Sequence, residues 1–162
     1  GWRDSMTCVY IRWGNFTKKS QGEIMDRLAI VISRDSYDKL LCPFVFAYLQ
    51  SLEGTQVDMF FVSWAVRALT AKGAAEIKIE GHHADQDAYV RKQVADLGLP
   101  SEVLDFLNNL KETGCVNLYG CDMAAKIYGV ADDDLIEAAN GIISASHFLH
   151  EIAMKADHTQ YF

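Results

Sequence analysis

Short continuous runs of apolar residues alternate along this chain with longer stretches in which apolar positions recur at helical spacing. Arg27 to Ser33 (RLAIVIS) and Gln56 to Val62 (QVDMFFV) are rich in β-branched and aromatic side chains, the pattern of strands buried on both faces of a parallel sheet. A third run, Cys115 to Gly120, leads into Cys121, and at Asp122 the spacing turns from strand-like to helix-like. Residues 158–162 read as a short edge strand. Between the first two strands, the polar turn Ser33 to Ser36 offers Asp35 or Ser36 as the cap of a helix from about Tyr37 to Glu53. Its apolar residues wrap most of its circumference, and Pro43 requires that it start late or bend. Further helices are expected over about 65–72, 85–97, 101–113 and 123–128, the last capped by Asp122 and stopped by Gly129. Leu135 to Ala139 is expected to be a short strand or helix, and Ile142 to Ala156 a final helix.

Strands alternating with helices predict an α/β fold, a parallel sheet with helices on both faces. Residues 27–162 read as a single domain. Residues 73–113 form a long crossover, of the kind that often covers a site. Residues 1–26 lack sustained periodicity. They carry Trp2, Tyr10, Trp13 and Phe16 among polar and charged neighbours, and read as an N-terminal arm with a short strand at Val9 to Ile11. Aromatics of that size are costly to leave in water, so the arm is expected to pack on the domain or on a second subunit.

Composition narrows the function classes. Of 162 residues, 50% are hydrophobic and 23% charged, enough for one full apolar core. A formal charge of −7 argues against nucleic acid or an anionic membrane surface as partner, because both need a basic field. No apolar run reaches the roughly 18 residues of a membrane span, and no signal-peptide pattern opens the chain, so a cytoplasmic location is expected. Four cysteines (Cys8, Cys42, Cys115, Cys121), none in C-x-x-C, predict reduced thiols. Cys115 and Cys121 do not read as a pair: along one extended strand their Cα atoms lie about 20 Å apart, far beyond the ~7 Å limit of a disulfide.

Cys121 is the main candidate for chemistry. A thiol at a strand-to-helix junction sits where open α/β sheets place their sites. The positive end of a helix dipole and free backbone N–H groups favour the thiolate there. Cys115, at the other end of the same strand, reads as structural. Asp122 reads either as a helix cap or as a charge opposing the thiolate. Ser33, Ser63 and Trp64 follow strands and can line the same rim, Ser63 as a hydrogen-bond donor and Trp64 as a wall. The same residues also suit helix capping and core packing.

The segments RLAIVIS, SYDKLLCPFVFAYLQSLEGTQVDMFFVSWAV and GCVNLYGCDMAAKIYGV, with the sequence that follows to Phe162, resemble the DsrE/DsrF-like family. Its members include sulfur carriers of sulfur oxidation and tRNA thiolation. The resemblance covers roughly Arg27 to Phe162 and is most specific at Cys121 followed by Asp-Met-Ala-Ala and Tyr-Gly-Val. It implies a flavodoxin-like parallel sheet of about five strands, a homo-oligomer, and Cys121 as the sulfur-carrying cysteine, with a helper or resolving role for Cys115 as an alternative to its structural reading. The function so implied is a sulfur-relay protein, a carrier or weak sulfurtransferase that needs no cofactor. Sulfur donor and acceptor proteins, or small sulfur compounds, are its expected partners. A second reading is a non-catalytic module that binds a small molecule or partner protein at the rim. A third is metal binding through His82, His83, His147 or His150, though their spacing is not H-E-x-x-H. No G-x-G-x-x-G or G-x-x-x-x-G-K-[ST] is present, which lowers the prospect of dinucleotide or nucleoside-triphosphate binding.

Overall fold

The computed structural model describes residues 25–162. The expected arm at 1–26 and its strand Val9 to Ile11 lie outside the described residues, except for Met25 and Asp26. Five segments form one all-parallel sheet: β1 (Arg27–Ile32), β2 (Gln56–Phe61), β3 (Val116–Cys121), β4 (Gly141–Ile143) and β5 (His158–Tyr161). Their order is β4-β3-β2-β1-β5. The chain therefore steps in one direction from β1 to β4 and then crosses back to place β5 on the far side of β1.

The two-residue period of the strands divides the core into two layers. Leu28, Ile30 and Ile32 of β1, Val57, Met59 and Phe61 of β2, and Val116 and Leu118 of β3 share the larger apolar cluster. One residue out of phase, Ala29, Phe60 and Cys121 share the smaller one. The larger layer is covered by α1 (Tyr37–Leu52) and α4 (Val103–Glu112), with Phe44 between Phe61 and Phe106 at ring-centroid distances of 6.5 and 5.3 Å. The smaller layer is closed by Phe148 and Ile152 of the β4-to-β5 return. The sequence-based expectation of an α/β fold with a five-stranded parallel sheet and helices on both faces is met.

Local differences have physical causes. α1 starts at Tyr37 and runs through Pro43, so the late start that Pro43 allowed does not occur. Burial of Leu40, Phe44, Ala47 and Tyr48 on that helix outweighs the hydrogen bond that Pro43 removes, a loss of about 3 kcal/mol. The helix expected over 65–72 is instead a 3-10 segment, Ser63–Leu69, followed by α2 (Ala71–Glu76), because Thr70 caps a new start by accepting the Gly73 N–H at 3.0 Å. Leu135 to Ala139 forms no helix and contributes only an isolated bridge between Leu135 and Thr70.

The expected helix from Ile142 to Ala156 is also corrected. Gly141 (φ +126°), Ile142 and Ile143 become β4, and Ser144 accepts the His147 N–H at 3.1 Å to start α6 (Ala145–His147). The return then continues as a π turn, Phe148–Ile152, and a 3-10 turn, Ala153–Lys155. Among the described residues no helix is long and apolar enough to cross a membrane.

The long crossover is pinned to the core by Arg91 of α3 (Asp87–Asp96). Its guanidinium lies 4.0 Å from the Tyr37 ring centroid and pairs with Asp87 at 2.7 Å. It also donates to the Ile77 and Ser101 carbonyls at 2.7 and 3.2 Å. Tyr37, almost wholly buried, donates its hydroxyl proton to Ser101 O at 2.7 Å, and burial pushes its pKa up to about 12. The folded pKa lies above the unfolded value of about 10, so the folded state holds this proton longer. The contribution of Tyr37 is therefore complete below pH ~10 and is lost as pH rises through about 12. Denaturant unfolding of the wild type is expected to show stability falling across that window, and Tyr37→Phe to fall less steeply. Equal slopes would disprove the assignment.

Candidate functional site

Cys121 is the last residue of β3 and the residue before α5 (Asp122–Tyr128), so one thiol sits at the carboxyl edge of the sheet where strand becomes helix. Its backbone is extended (φ −76°, ψ 129°), and it pairs in register with Ile143 of β4. Because β3 alternates, the side chain shares the smaller layer with Ala29, Phe60, Val66, Ala124, Phe148 and Ile152. It is only 6% exposed, so reaction at this sulfur requires a local opening of that layer. Phe148, stacked on Phe60 at 4.4 Å with a 13° interplanar angle, is the largest side chain that the return contributes to the layer. Asp122 directs Oδ1 to the Met123 N–H at 2.7 Å, so its carboxylate serves the first turn of α5.

The remaining sequence-derived candidates fall into separate places. Ser33 turns toward β5: its N–H and its hydroxyl both donate to Phe162 O, at 2.9 and 2.8 Å. It shares a cleft of about 230 Å³ with Arg34, Asp35, Lys39, Trp64 and Glu80. Trp64 is half-exposed, so it is not a core residue. Ser63, at the end of the central strand β2, has φ +52°, a left-handed conformation that a residue with a Cβ adopts at a cost of about 1–3 kcal/mol. Its hydroxyl lies 3.4 Å from that of Tyr128. Cys121 lines neither this cleft nor the larger one beside α2.

Cys115 lies at the opposite, amino edge of the sheet and is fully buried. Cys42 and Cys121 are free thiols, as expected, but Cys115 is disulfide-bonded, which corrects the expectation of a reduced thiol at that position. A sulfur already committed to a disulfide and enclosed by core is not placed to assist Cys121. The expectation for Cys8 lies outside the described residues. His82, His83, His147 and His150 are exposed, and among the described residues no three His, Cys, Asp or Glu side chains gather as a metal-holding group.

Two neighbours of the rim were not singled out from the sequence. Tyr128 packs its ring 4.2 Å from Trp64, and the Arg67 guanidinium lies over the same indole at 5.6 Å. Arg67 also binds Glu76 at 2.6 Å and faces Asp35 at 3.8 Å. The spacing of Trp64 and Arg67, three apart in a short helical segment, carries a signal for the cation–π pair. Nothing local announces Tyr128.

The model of the DsrE/DsrF-like family matches residues 26–160, from just before β1 to within β5. The chain belongs to the DsrE/DsrF-like family. The resemblance drawn from its strands and the Cys121 segment therefore holds over nearly all the described residues. The comparison with curated proteins found no match. Among solved structures, this chain is similar to MTH1491, a protein of unknown function from Methanobacterium thermoautotrophicum. Identity is 14% over 83% of this chain and 97% of that one, with a TM-score of 0.49.

Proposed function

We propose that this DsrE/DsrF-like protein is a sulfur relay that carries sulfane sulfur as a persulfide on Cys121. The observation that carries the reading is the position of a free thiol at the β3–α5 junction, in the carboxyl rim of an all-parallel sheet. The reaction needs one nucleophile. The Cys121 thiolate attacks the outer sulfur of a donor persulfide, R–S–SH; the S–S bond breaks, the donor leaves as RS⁻, and Cys121 becomes Cys–S–SH. An acceptor thiolate then attacks that outer sulfur and restores the Cys121 thiolate. Each step exchanges one S–S bond for another, so no external oxidant or cofactor enters the balance. Burial of the sulfur would shield the persulfide from stray thiols between the two steps, and opening of the smaller layer would admit donor and acceptor in turn. Donor and acceptor are thiol-bearing proteins or small sulfur compounds, and the working unit is a homo-oligomer in the cytoplasm.

The low exposure of Cys121 also favours a second reading, a non-catalytic binding module in which the thiol is core. Intact mass after incubation with inorganic polysulfide separates the two. The relay predicts a reducible gain of one sulfur, about 32 Da, that survives in Cys42→Ser and disappears in Cys121→Ser. An adduct lost only in Cys42→Ser, the exposed thiol on α1, would overturn it.

A further inference from the structure

A cleft of about 530 Å³ lies between α2 and the end of α5 and has no part in the proposed sulfur chemistry. Its walls are fixed by the backbone. Thr70 forms an isolated bridge with Leu135, and the Ile136 N–H donates to Leu69 O at 2.8 Å, tying the segment after α5 to the segment before α2. Gly73 packs so tightly that an added Cβ would lie 2.0 Å from Arg67 O. Gly129, at φ +71°, stops α5 and returns its N–H to Ala125 O.

The charges in this cleft are balanced but incompletely paired. Arg67 and Lys72 contribute two positive charges, Glu76 and Asp134 two negative ones. Arg67 and Glu76 satisfy each other at 2.6 Å. Lys72 makes no ion pair among the described residues, and Asp134 uses Oδ2 to accept the Ala131 N–H at 2.9 Å, leaving Oδ1 open. One cation and one carboxylate oxygen therefore face the same cleft without bonding to each other, beside the flat apolar ring of Tyr128. A simple anion would meet Asp134, and a simple cation would meet Lys72. A molecule with separated opposite charges satisfies both.

We propose that this cleft binds a small zwitterion of the amino-acid or short-peptide class, its ammonium on Asp134, its carboxylate on Lys72 and its body against Tyr128. The volume falls in the range of pockets that enclose ligands of this size and somewhat larger. Tyr128 connects the cleft to the rim, through its ring on Trp64 and its hydroxyl near Ser63.

The test is an amide chemical-shift titration of the full chain with alanylglycine, and with its N-acetyl and C-amide derivatives. Alanylglycine is expected to give saturable shifts at the Gly73 and Gly129 amides and the Trp64 indole. Each blocked derivative should bind about tenfold more weakly, the equivalent of one charge-assisted hydrogen bond. Lys72→Gln should erase the difference between the dipeptide and its amide, and Asp134→Asn that between the dipeptide and its N-acetyl form. No saturable shift by about 10 mM would overturn the proposal, as would equal binding of the blocked forms. The same titration on Cys121→Ser should be unchanged, so the outcome does not depend on the sulfur-relay reading.

Discussion

Phe148→Ala is expected to cost about 3–5 kcal/mol of stability and to speed alkylation of Cys121. Phe148 is 2% exposed and stacked on Phe60, so truncation removes most of a buried ring and leaves a cavity in the smaller layer. Ile152 of the same return, with Ala124 and Ala125 of α5, shares the layer with it. The return that carries Phe148 is three residues of α-helix, one π turn and one 3-10 turn, rather than a regular helix with an unbroken hydrogen-bond ladder. The larger layer, under α1 and α4, offers many more contacts and is expected to hold while the smaller one loosens. Denaturant unfolding measures the first effect. The second is the iodoacetamide rate at Cys121 relative to the exposed Cys42, which serves as an internal reference. A destabilised Phe148→Ala protein with an unchanged rate ratio would show that Phe148 does not guard the thiol.

Gly73→Ala comes second, at up to about 3 kcal/mol net. In an isolated helix this substitution is favourable by about 1 kcal/mol. Here the new Cβ would lie 2.0 Å from Arg67 O and 2.7 Å from Arg67 C, both main-chain atoms that no rotamer change can move. α2 must shift instead. Overpacking of this kind costs about 1–3 kcal/mol, and the shift breaks the Thr70 cap, worth about 1 kcal/mol more. Gly54→Ala is the comparison: a Cβ there meets nothing within 4 Å, and only the left-handed backbone at φ +88° resists it, at about 1–2 kcal/mol. Thermal unfolding of both variants checks the order, which would be reversed if α2 moved freely.

The parts of the fold that were legible in the sequence are those whose pattern is set by burial on two sides. RLAIVIS and QVDMFF have no polar face to confuse with a helix, and β1 and β2 fall within a residue of the expected spans. β4 was hidden because Ile142 and Ile143 continue into a stretch with helical spacing. The two cues that separate them, Gly141 at positive φ and Ser144 as a cap, act only once the strand is paired. At the rim, the change of period at Asp122 located Cys121. Its enclosure could not be read, because the cover comes from Phe148, 27 positions later by numbering, through a connection whose path depends on β5. The left-handed Ser63 and its contact with Tyr128 are likewise products of tertiary geometry, without a local residue signal.

The fastening of β5 beside β1 has a consequence for how the sheet is assembled. Asp157 Oδ2 accepts the N–H groups of Asp26 and Arg27 at 2.8 and 2.9 Å, and Phe162 O takes both donors of Ser33, so the strand is tied at both ends. These contacts join residues about 130 positions apart, the largest separation in the sheet and the greatest loop-closure entropy of any strand pair. The outer edge of β1 is accordingly expected to be the hydrogen-bonding surface covered last, an open template for pairing with other chains for as long as β5 is unplaced.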